Sequence, residues 1–158
     1  MITSVREKNM ERMINGKDAS EYSCCGVFAL AYITGDSCQK VWDSIKDVER
    51  KAAAWKGSLD VSQIKNAAIN RGIQLERLDS SVSRFKKVKD LDQLNLGDDQ
   101  YFVTTRDHCF IYSNGLMIDQ TQEVALENAY GNRQKIQNIY AIKSVMKAAA
   151  WTDYKRFY

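Results

Sequence analysis

The sequence predicts an α+β fold, in which helices come first along the chain and antiparallel strands follow. Between residues 24 and 71 apolar side chains recur at helical spacing. After Gly72 the chain contains short runs rich in aromatic and β-branched residues, separated by turn residues. Helices and strands that are segregated in this way are typical of α+β proteins. Because no linker or low-complexity segment divides the 158 residues, we expect a single domain spanning residues 1–158.

Four helices are predicted in the first half of the chain. Their ranges are 4–14, 24–34, 38–56 and 60–71. Ser23 and Ser37 are suitable N-caps for the second and third helices. Gly35, Gly57 and Gly72 stand where helices commonly end, since glycine adopts the left-handed conformation that closes a helix. The order of helices therefore follows from apolar spacing combined with capping residues.

The second half of the chain is predicted to be mostly strands. Their ranges are 73–78, 101–105, 108–113, 116–120 and 137–143. One or two helical turns are expected at residues 90–95, and a final helix at residues 144–158. Together these strands predict an antiparallel sheet behind the helices.

Two residues in this framework stand out chemically, a cysteine at a helix start and the only histidine of the chain, His108. Cys25 is expected in the first turn of its helix, where backbone N–H groups and the helix dipole lower the pKa of a thiol. The N–H groups of Cys25 and Gly26 could also help to stabilise an oxyanion. A thiol with a histidine base is the usual arrangement for nucleophilic catalysis near neutral pH.

The hairpin after His108 predicts an acidic partner for its imidazole. If Asn114-Gly115 forms a two-residue type I′ turn, Phe110 pairs with Asp119. His108 and Asp119 then lie on the same face as diagonal neighbours. A three-residue loop would instead place Asp119 on the opposite face and leave Gln120 opposite His108. In the first case Asp119 could hold the imidazole in one tautomer and stabilise its charged form.

Two segments resemble a papain-like group common in bacteriophages. Residues 25–35 read CGVFALAYITG, and residues 108–119 form an apolar hairpin from the histidine to the aspartate. The helical segment at residues 57–72 is similar to the second helical region of that group. The likeness extends over roughly residues 20–143, and the chain also resembles bacteriocin-processing peptidases. It implies a papain-like fold and a cysteine peptidase with Cys25 as nucleophile, His108 as base and Asp119 as orienting acid.

The chain departs from the papain-like pattern at the oxyanion site. Papain-like peptidases often have a glutamine several residues before the nucleophile, and none precedes Cys25 here. Three polar residues are candidates for its place: Asn15, Asp18 and Ser20. Cys24 is a second candidate thiol, but Cys25 is preferred because Gly26 and the Ala-Leu register follow it.

Three functions are open at this point: a peptidase or isopeptidase, a thiol acyltransferase or glutamine deamidase with the same triad, and an inactive papain-like interaction protein. The expected partner is a protein or peptide, which the phage resemblance would make a host or phage protein. A zinc site is disfavoured because the chain has no Cys-x-x-Cys pair. We therefore expect no metal or cofactor.

Charge and hydropathy indicate neither nucleic acid nor membrane as a partner. The net charge is +3, and the one basic cluster, at residues 84–89, is interpreted as a solvated connector. The longest apolar run, at residues 24–33, is shorter than the roughly 20 residues that cross a bilayer. Residues 1–15 lack the apolar core of a signal peptide. We therefore expect a cytoplasmic protein, in the host cell if phage-encoded, with its four cysteines reduced.

Overall fold

The computed structural model describes residues 11–48, 55–97 and 99–144, and in them it has the predicted α+β class. A two-stranded hairpin comes first, formed by β1 (Met13–Ile14) and β2 (Lys17–Asp18). The helices that follow are α1 (Cys25–Thr34), α2 (Cys38–Val48), α3 (Val61–Ile69) and the single turn α4 (Ser80–Ser83). Three short 3₁₀ segments connect the elements, at Ala19–Glu21, Val88–Leu94 and Leu126–Asn128.

Within the described ranges the main sheet has six antiparallel strands. They are β3 (Ile73–Arg77), β4 (Gln100–Thr104), β5 (Cys109–Ser113), β6 (Leu116–Ile118), β7 (Glu123–Ala125) and β8 (Asn138–Ser144). Their order across the sheet is β3-β8-β4-β5-β6-β7. The chain therefore builds β4 to β7 as consecutive neighbours, and the last described strand returns to lie between β3 and β4.

Capping residues determine where the helices begin and end. Gly35 adopts φ 78° and its N–H bonds to the carbonyl of Ala31, as predicted for a left-handed C-terminal residue. Ser37 Oγ accepts a hydrogen bond of 3.1 Å from the N–H of Lys40, which confirms it as a cap of α2. Ser23 does not cap α1, because that helix begins one residue later and Cys24 is its N-cap.

Two predicted helices differ from the structure. Residues 11–14 were expected within a helix, but Met13–Ile14 is a strand because Asn15 and Gly16 both adopt positive φ and form a tight turn. The helix predicted over residues 38–56 does not include Trp55, which is non-helical and packs its ring 4.6 Å from that of Trp42. Residues 1–10, 49–54 and 145–158 lie outside the described residues, and so does most of the predicted C-terminal helix.

Apolar side chains pack on both faces of the main sheet, and strand β5 serves both. Cys109 and Ile111 face the cluster formed with the helices, whereas Phe110 and Tyr112 belong to the cluster on the opposite face. This alternation is the period-2 pattern of a strand buried on both sides. On the face covered by the helices, β5 packs against α1. Among the described helices, none is long and apolar enough to cross a membrane.

Candidate active site

Cys25 is the first residue of α1 and is only partly buried. The N-cap residue, Cys24, makes no side-chain hydrogen bond to the first turn of the helix. Its Sγ instead donates to the carbonyl of Ala19 at 3.3 Å. The first N–H groups of α1, at the helix end where Cys25 lies, are therefore not capped by the Cys24 side chain.

Gly26 lies where α1 passes closest to α3. A Cβ at this position would lie 2.8 Å from Ile64 Cδ1, shorter than a normal contact. Ile64 is itself buried in the core between the helices and the sheet. An alanine here would therefore require the buried Ile64 side chain to shift, a reason for glycine that the linear sequence does not reveal.

The hairpin between β5 and β6 has the predicted register. Ser113 pairs with Leu116 and Ile111 with Ile118, so continuation of the ladder places Phe110 opposite Asp119. The two turn residues, Asn114 and Gly115, have φ values of 47° and 81°, as a type I′ turn requires. The tight-turn alternative is confirmed, and the three-residue loop that would bring Gln120 opposite His108 is excluded.

His108 and Asp119 are directly hydrogen-bonded. The distance from His108 Nε2 to Asp119 Oδ2 is 2.7 Å, and the Asp119 side chain is 1% exposed. The Oδ1 atom of Asp119 accepts from the N–H and hydroxyl of Thr121 and from the N–H of Gln122. These donors lock the carboxylate in one orientation. Because Nε2 is used by Asp119, the ring nitrogen that remains for Cys25 is Nδ1.

His108 and Cys109 both lie near the Cys25 thiol and change its pKa. The interaction with the Cys109 thiol is the largest single cause that lowers the pKa of Cys25 to about 5. Burial opposes the shift, whereas the hydrogen bond and positive charge of His108 reinforce it. At neutral pH the sulfur is therefore a thiolate, which is the nucleophilic form of cysteine.

His108 is correspondingly held in its protonated form. Burial by itself lowers the pKa of His108, but hydrogen bonds and negative charges of Asp119 and Cys25 outweigh burial and raise it to about 9. For Asp119, burial acts in the opposite direction and raises the pKa, but the hydrogen bonds to His108 and Thr121 outweigh burial and lower it. The three side chains thus form a chain of thiolate, imidazolium and carboxylate between about pH 5 and pH 9.

Cys109 follows His108 directly along the chain, and its side chain is 3% exposed in the core facing the helices. What the sequence did not indicate is that this core face also carries Cys25. Its hydrogen bond to Cys25 and its burial raise the pKa of Cys109 well above normal, so it remains a neutral donor. The alternation of β5 predicts which face of the sheet Cys109 occupies, but it does not predict that α1 packs against that face.

The other two cysteines do not have the environment of a nucleophile. Burial raises the pKa of Cys24 to about 12 and that of Cys38 to about 11. Both side chains are completely buried. The choice between the adjacent thiols is therefore resolved by environment in favour of Cys25, which is the more exposed and the more acidic.

The three polar residues considered for the oxyanion site are engaged elsewhere. Asn15 Oδ1 accepts from Gln39 Nε2 at 3.1 Å. Asp18 forms an ion pair with Arg12 at 3.0 Å, and the hydrogen bond with Arg12 outweighs burial and holds the pKa of this carboxyl far below its usual range. An ionised carboxylate cannot donate to an oxyanion. Ser20 is exposed and donates its N–H to the same carboxylate.

Arg12 joins the N-terminal hairpin to the loop that carries Asp119. Its Nη2 atom donates both to Asp18 and to the backbone carbonyl of Gln120. The guanidinium also lies 5.2 Å from the ring centroid of Phe28 in α1. The side chain of Gln120 is buried, and its Oε1 has no hydrogen-bond partner among the described residues. Arg12 was not singled out by the sequence, because its contact with this loop joins residues 108 positions apart along the chain.

A pocket of about 500 Å³ opens beside the His108–Asp119 pair. Its lining includes Met117, Tyr130 and Gln134 but not Cys25. The pocket therefore adjoins the imidazole and the carboxylate rather than the sulfur.

Among the described residues, no group of three or more histidine, cysteine, aspartate or glutamate side chains is placed to hold a metal ion. The arrangement of Cys25, His108 and Asp119 instead suits proton transfer and nucleophilic attack. Comparison with models of known protein families finds no match for this chain, and neither the curated proteins nor the solved structures contain a significant match. The site must therefore be interpreted from its own geometry.

Proposed function

We propose that this protein is a papain-like thiol hydrolase, a peptidase or isopeptidase acting through Cys25, His108 and Asp119. The observation that carries the proposal is the hydrogen bond of 2.7 Å between His108 and Asp119, beside a Cys25 thiol whose pKa His108 helps to lower. The order of elements supports a papain-like fold, since the helix that begins with the thiol precedes an antiparallel sheet bearing the base and the acid.

The reaction follows from the charges of the three side chains. The Cys25 thiolate attacks the carbonyl carbon of the substrate, a C–S bond forms, and the carbonyl oxygen becomes an oxyanion. The N–H groups of Cys25 and Gly26, which the N-cap side chain leaves uncapped, are the donors proposed to stabilise it. The imidazolium of His108 then gives its proton to the leaving nitrogen as the C–N bond breaks.

The second half of the reaction regenerates the enzyme. His108, now neutral, removes a proton from water, and the resulting hydroxide attacks the thioester carbon. The C–S bond breaks, the acid product leaves, and Cys25 returns to the thiolate beside an imidazolium. Asp119 keeps its negative charge throughout and stabilises the imidazolium whenever it forms.

A second candidate function uses the same thioester. If an amine attacks in place of water, the product is a new amide and the protein is an acyltransferase; if the first leaving group is ammonia, it is a glutamine deamidase. The acidic thiol and its neighbouring base serve these reactions equally well. A protein or peptide, of host or phage origin, is the proposed substrate in each case, and the cell cytoplasm the proposed location.

The test is acylation of the intact protein by p-nitrophenyl acetate. We expect a burst of p-nitrophenol approaching one equivalent per chain, and a mass increase of one acetyl group on the peptide containing Cys25. Cys25→Ala should abolish the burst, whereas Cys38→Ala, which removes a buried cysteine of the same core, should retain it. A folded protein without a burst would contradict the proposal and favour the inactive interaction protein.

A further inference from the structure

The pocket beside His108 has a mainly apolar lining. The lining includes Met117, which is 2% exposed, and Tyr130, which is 89% exposed. Gln122 holds the backbone of Tyr130: its Nε2 donates to the carbonyl of Tyr130 at 3.0 Å, and its Oε1 accepts from the N–H of Tyr130 at 2.9 Å. The backbone that carries this ring is therefore ordered beside the pocket, which lowers the entropic cost of binding there.

The pocket offers no charge to a ligand beyond the catalytic pair. Apart from His108 and Asp119, the residues that line it are neutral. Both carboxylate oxygens of Asp119 already accept hydrogen bonds, and Gln134 Oε1 accepts from the hydroxyl of Thr105 at 3.0 Å. The charges of His108 and Asp119 are already paired with each other, so a charged side chain placed here would lose water and gain little in return. The chemistry of the pocket therefore favours a neutral, mainly apolar group.

The position of the pocket relative to the thiol indicates which part of a substrate reaches it. In acyl transfer the sulfur bonds to the acyl carbon, while the base must lie next to the leaving nitrogen in order to protonate it. The pocket is lined by His108 and Asp119 but not by Cys25. A group that enters it is therefore attached to the leaving nitrogen and not to the acyl carbon.

We propose that this pocket selects substrates carrying a bulky apolar side chain on the residue that follows the cleaved bond. The inference rests on the proposed function, because it requires a thioester at Cys25. It adds to that function the class of substrate, which the three catalytic residues do not specify. By microscopic reversibility the same pocket binds an amine that attacks the thioester.

This equivalence allows the pocket to be tested without knowing the natural substrate. The intact protein is acylated with p-nitrophenyl acetate in the presence of one of four amines. These are glycinamide, leucinamide, phenylalaninamide and aspartate α-amide, of which the last has a charged side chain. The acetylated amine and free acetate are then measured. We expect phenylalaninamide and leucinamide to capture the acetyl group at least about tenfold more efficiently than glycinamide, since even one methylene in an apolar pocket is worth that much. Aspartate α-amide should be the poorest acceptor.

Two exposed aromatic residues provide a matched pair of variants. Tyr130→Ala removes a pocket wall and should reduce the preference for phenylalaninamide over glycinamide to about threefold or less, a loss consistent with removal of apolar contacts. Phe85→Ala removes a ring that is 92% exposed and does not line the pocket, and it should leave the preference unchanged. Both side chains are largely in solvent, so neither change is expected to unfold the protein.

The outcomes separate the two proposals. A burst at Cys25 with equal capture of all four amines would overturn the pocket assignment and leave the thiol hydrolase standing. A preference for phenylalaninamide that survives in Tyr130→Ala would likewise overturn it. Absence of the burst from folded protein would overturn both proposals together.

Discussion

The Cys109 thiol interacts with the sulfur of Cys25, although Cys109 is a buried residue of the sheet and Cys25 opens a helix. It is the largest single cause that lowers the pKa of Cys25, and His108 lowers that pKa further through a hydrogen bond and through its positive charge. The nucleophile is thus stabilised as a thiolate from two sides, by a neutral donor in the core and by a cation at the surface of the site.

Replacement of Cys109 should make Cys25 a weaker acid. A hydrogen bond to a charged group contributes about 1.5 to 3 kcal/mol, which corresponds to roughly one to two pKa units. Cys109→Ala should therefore raise the midpoint of Cys25 alkylation by that amount from its value of about 5. Cys109→Ser retains a donor and should stay close to the original midpoint, and Cys38→Ala is the control for loss of a buried thiol. An identical midpoint in Cys109→Ala and in the unaltered protein would show that the donor is unimportant.

The rate of alkylation by iodoacetamide should depend on pH as the ionisation of Cys25 does, and Cys25 should be the thiol that is modified. Because the pKa of Cys25 is lowered to about 5 mainly by the Cys109 hydrogen bond, the rate should rise through pH 5 and be nearly constant at neutral pH. Peptide mapping should find Cys24 and Cys38 unmodified, since burial raises both of their pKa values. A midpoint near 9, the value of an ordinary thiol, would mean that no thiolate is stabilised.

Turnover should fall again at high pH. Burial lowers the pKa of His108, but its bonds to Asp119 and Cys25 prevail and raise it to about 9, so the imidazolium loses its proton above that pH. Since the leaving nitrogen needs this proton, acylation by an amide substrate should decline above about pH 9. Steady-state rates from pH 4 to pH 11 check this, and a rate that keeps rising beyond pH 10 would exclude His108 as the general acid.

Asp119→Asn should reduce turnover by about 10² to 10⁴, the usual contribution of a positioned acid–base group. The neutral amide no longer stabilises the imidazolium, so the high-pH limit of activity should also move to lower pH. Asp92→Asn is a matched control, because Asp92 accepts a hydrogen bond from Tyr112 and does not contact the triad. A lower rate with no change in the pH profile would indicate a structural role for Asp119 rather than an electrostatic one.

Gly26→Ala should destabilise the protein through its contact with α3. Its Cβ would lie 2.8 Å from Ile64 Cδ1, and overpacking of this kind costs about 1 to 3 kcal/mol. Over most of this range the cost is larger than the roughly 1 kcal/mol that alanine gains over glycine in a helix. Ile64→Val removes Cδ1, the nearer of two clashing atoms, and leaves Cγ1 at 2.9 Å, so it should relieve part of the clash and be less harmful in the Gly26→Ala background than alone. Urea unfolding of the four proteins in this cycle measures the coupling, and strictly additive free energies of unfolding would refute the clash.

The local parts of the site were predictable because they depend on neighbours in the chain. The start of α1 at Cys25 is one residue from the predicted start, and Gly35 ends it as expected. Asn114-Gly115 determined the register that pairs the strand of His108 with the strand of Asp119. The helix predicted over residues 4–14 failed where it could be compared, since a turn at Asn15 and Gly16 favoured a hairpin over apolar spacing.

By itself, then, the sequence determined the order of helices and strands and the pairing of His108 with Asp119, because turn geometry and the two-residue period of strands act over short distances. Only the tertiary structure decided that Cys109 lies beside Cys25, that Gly26 packs closely against Ile64, and that a pocket adjoins His108. These features depend on how α1 and α3 pack against the sheet and against each other, and such packing joins residues that are far apart along the chain.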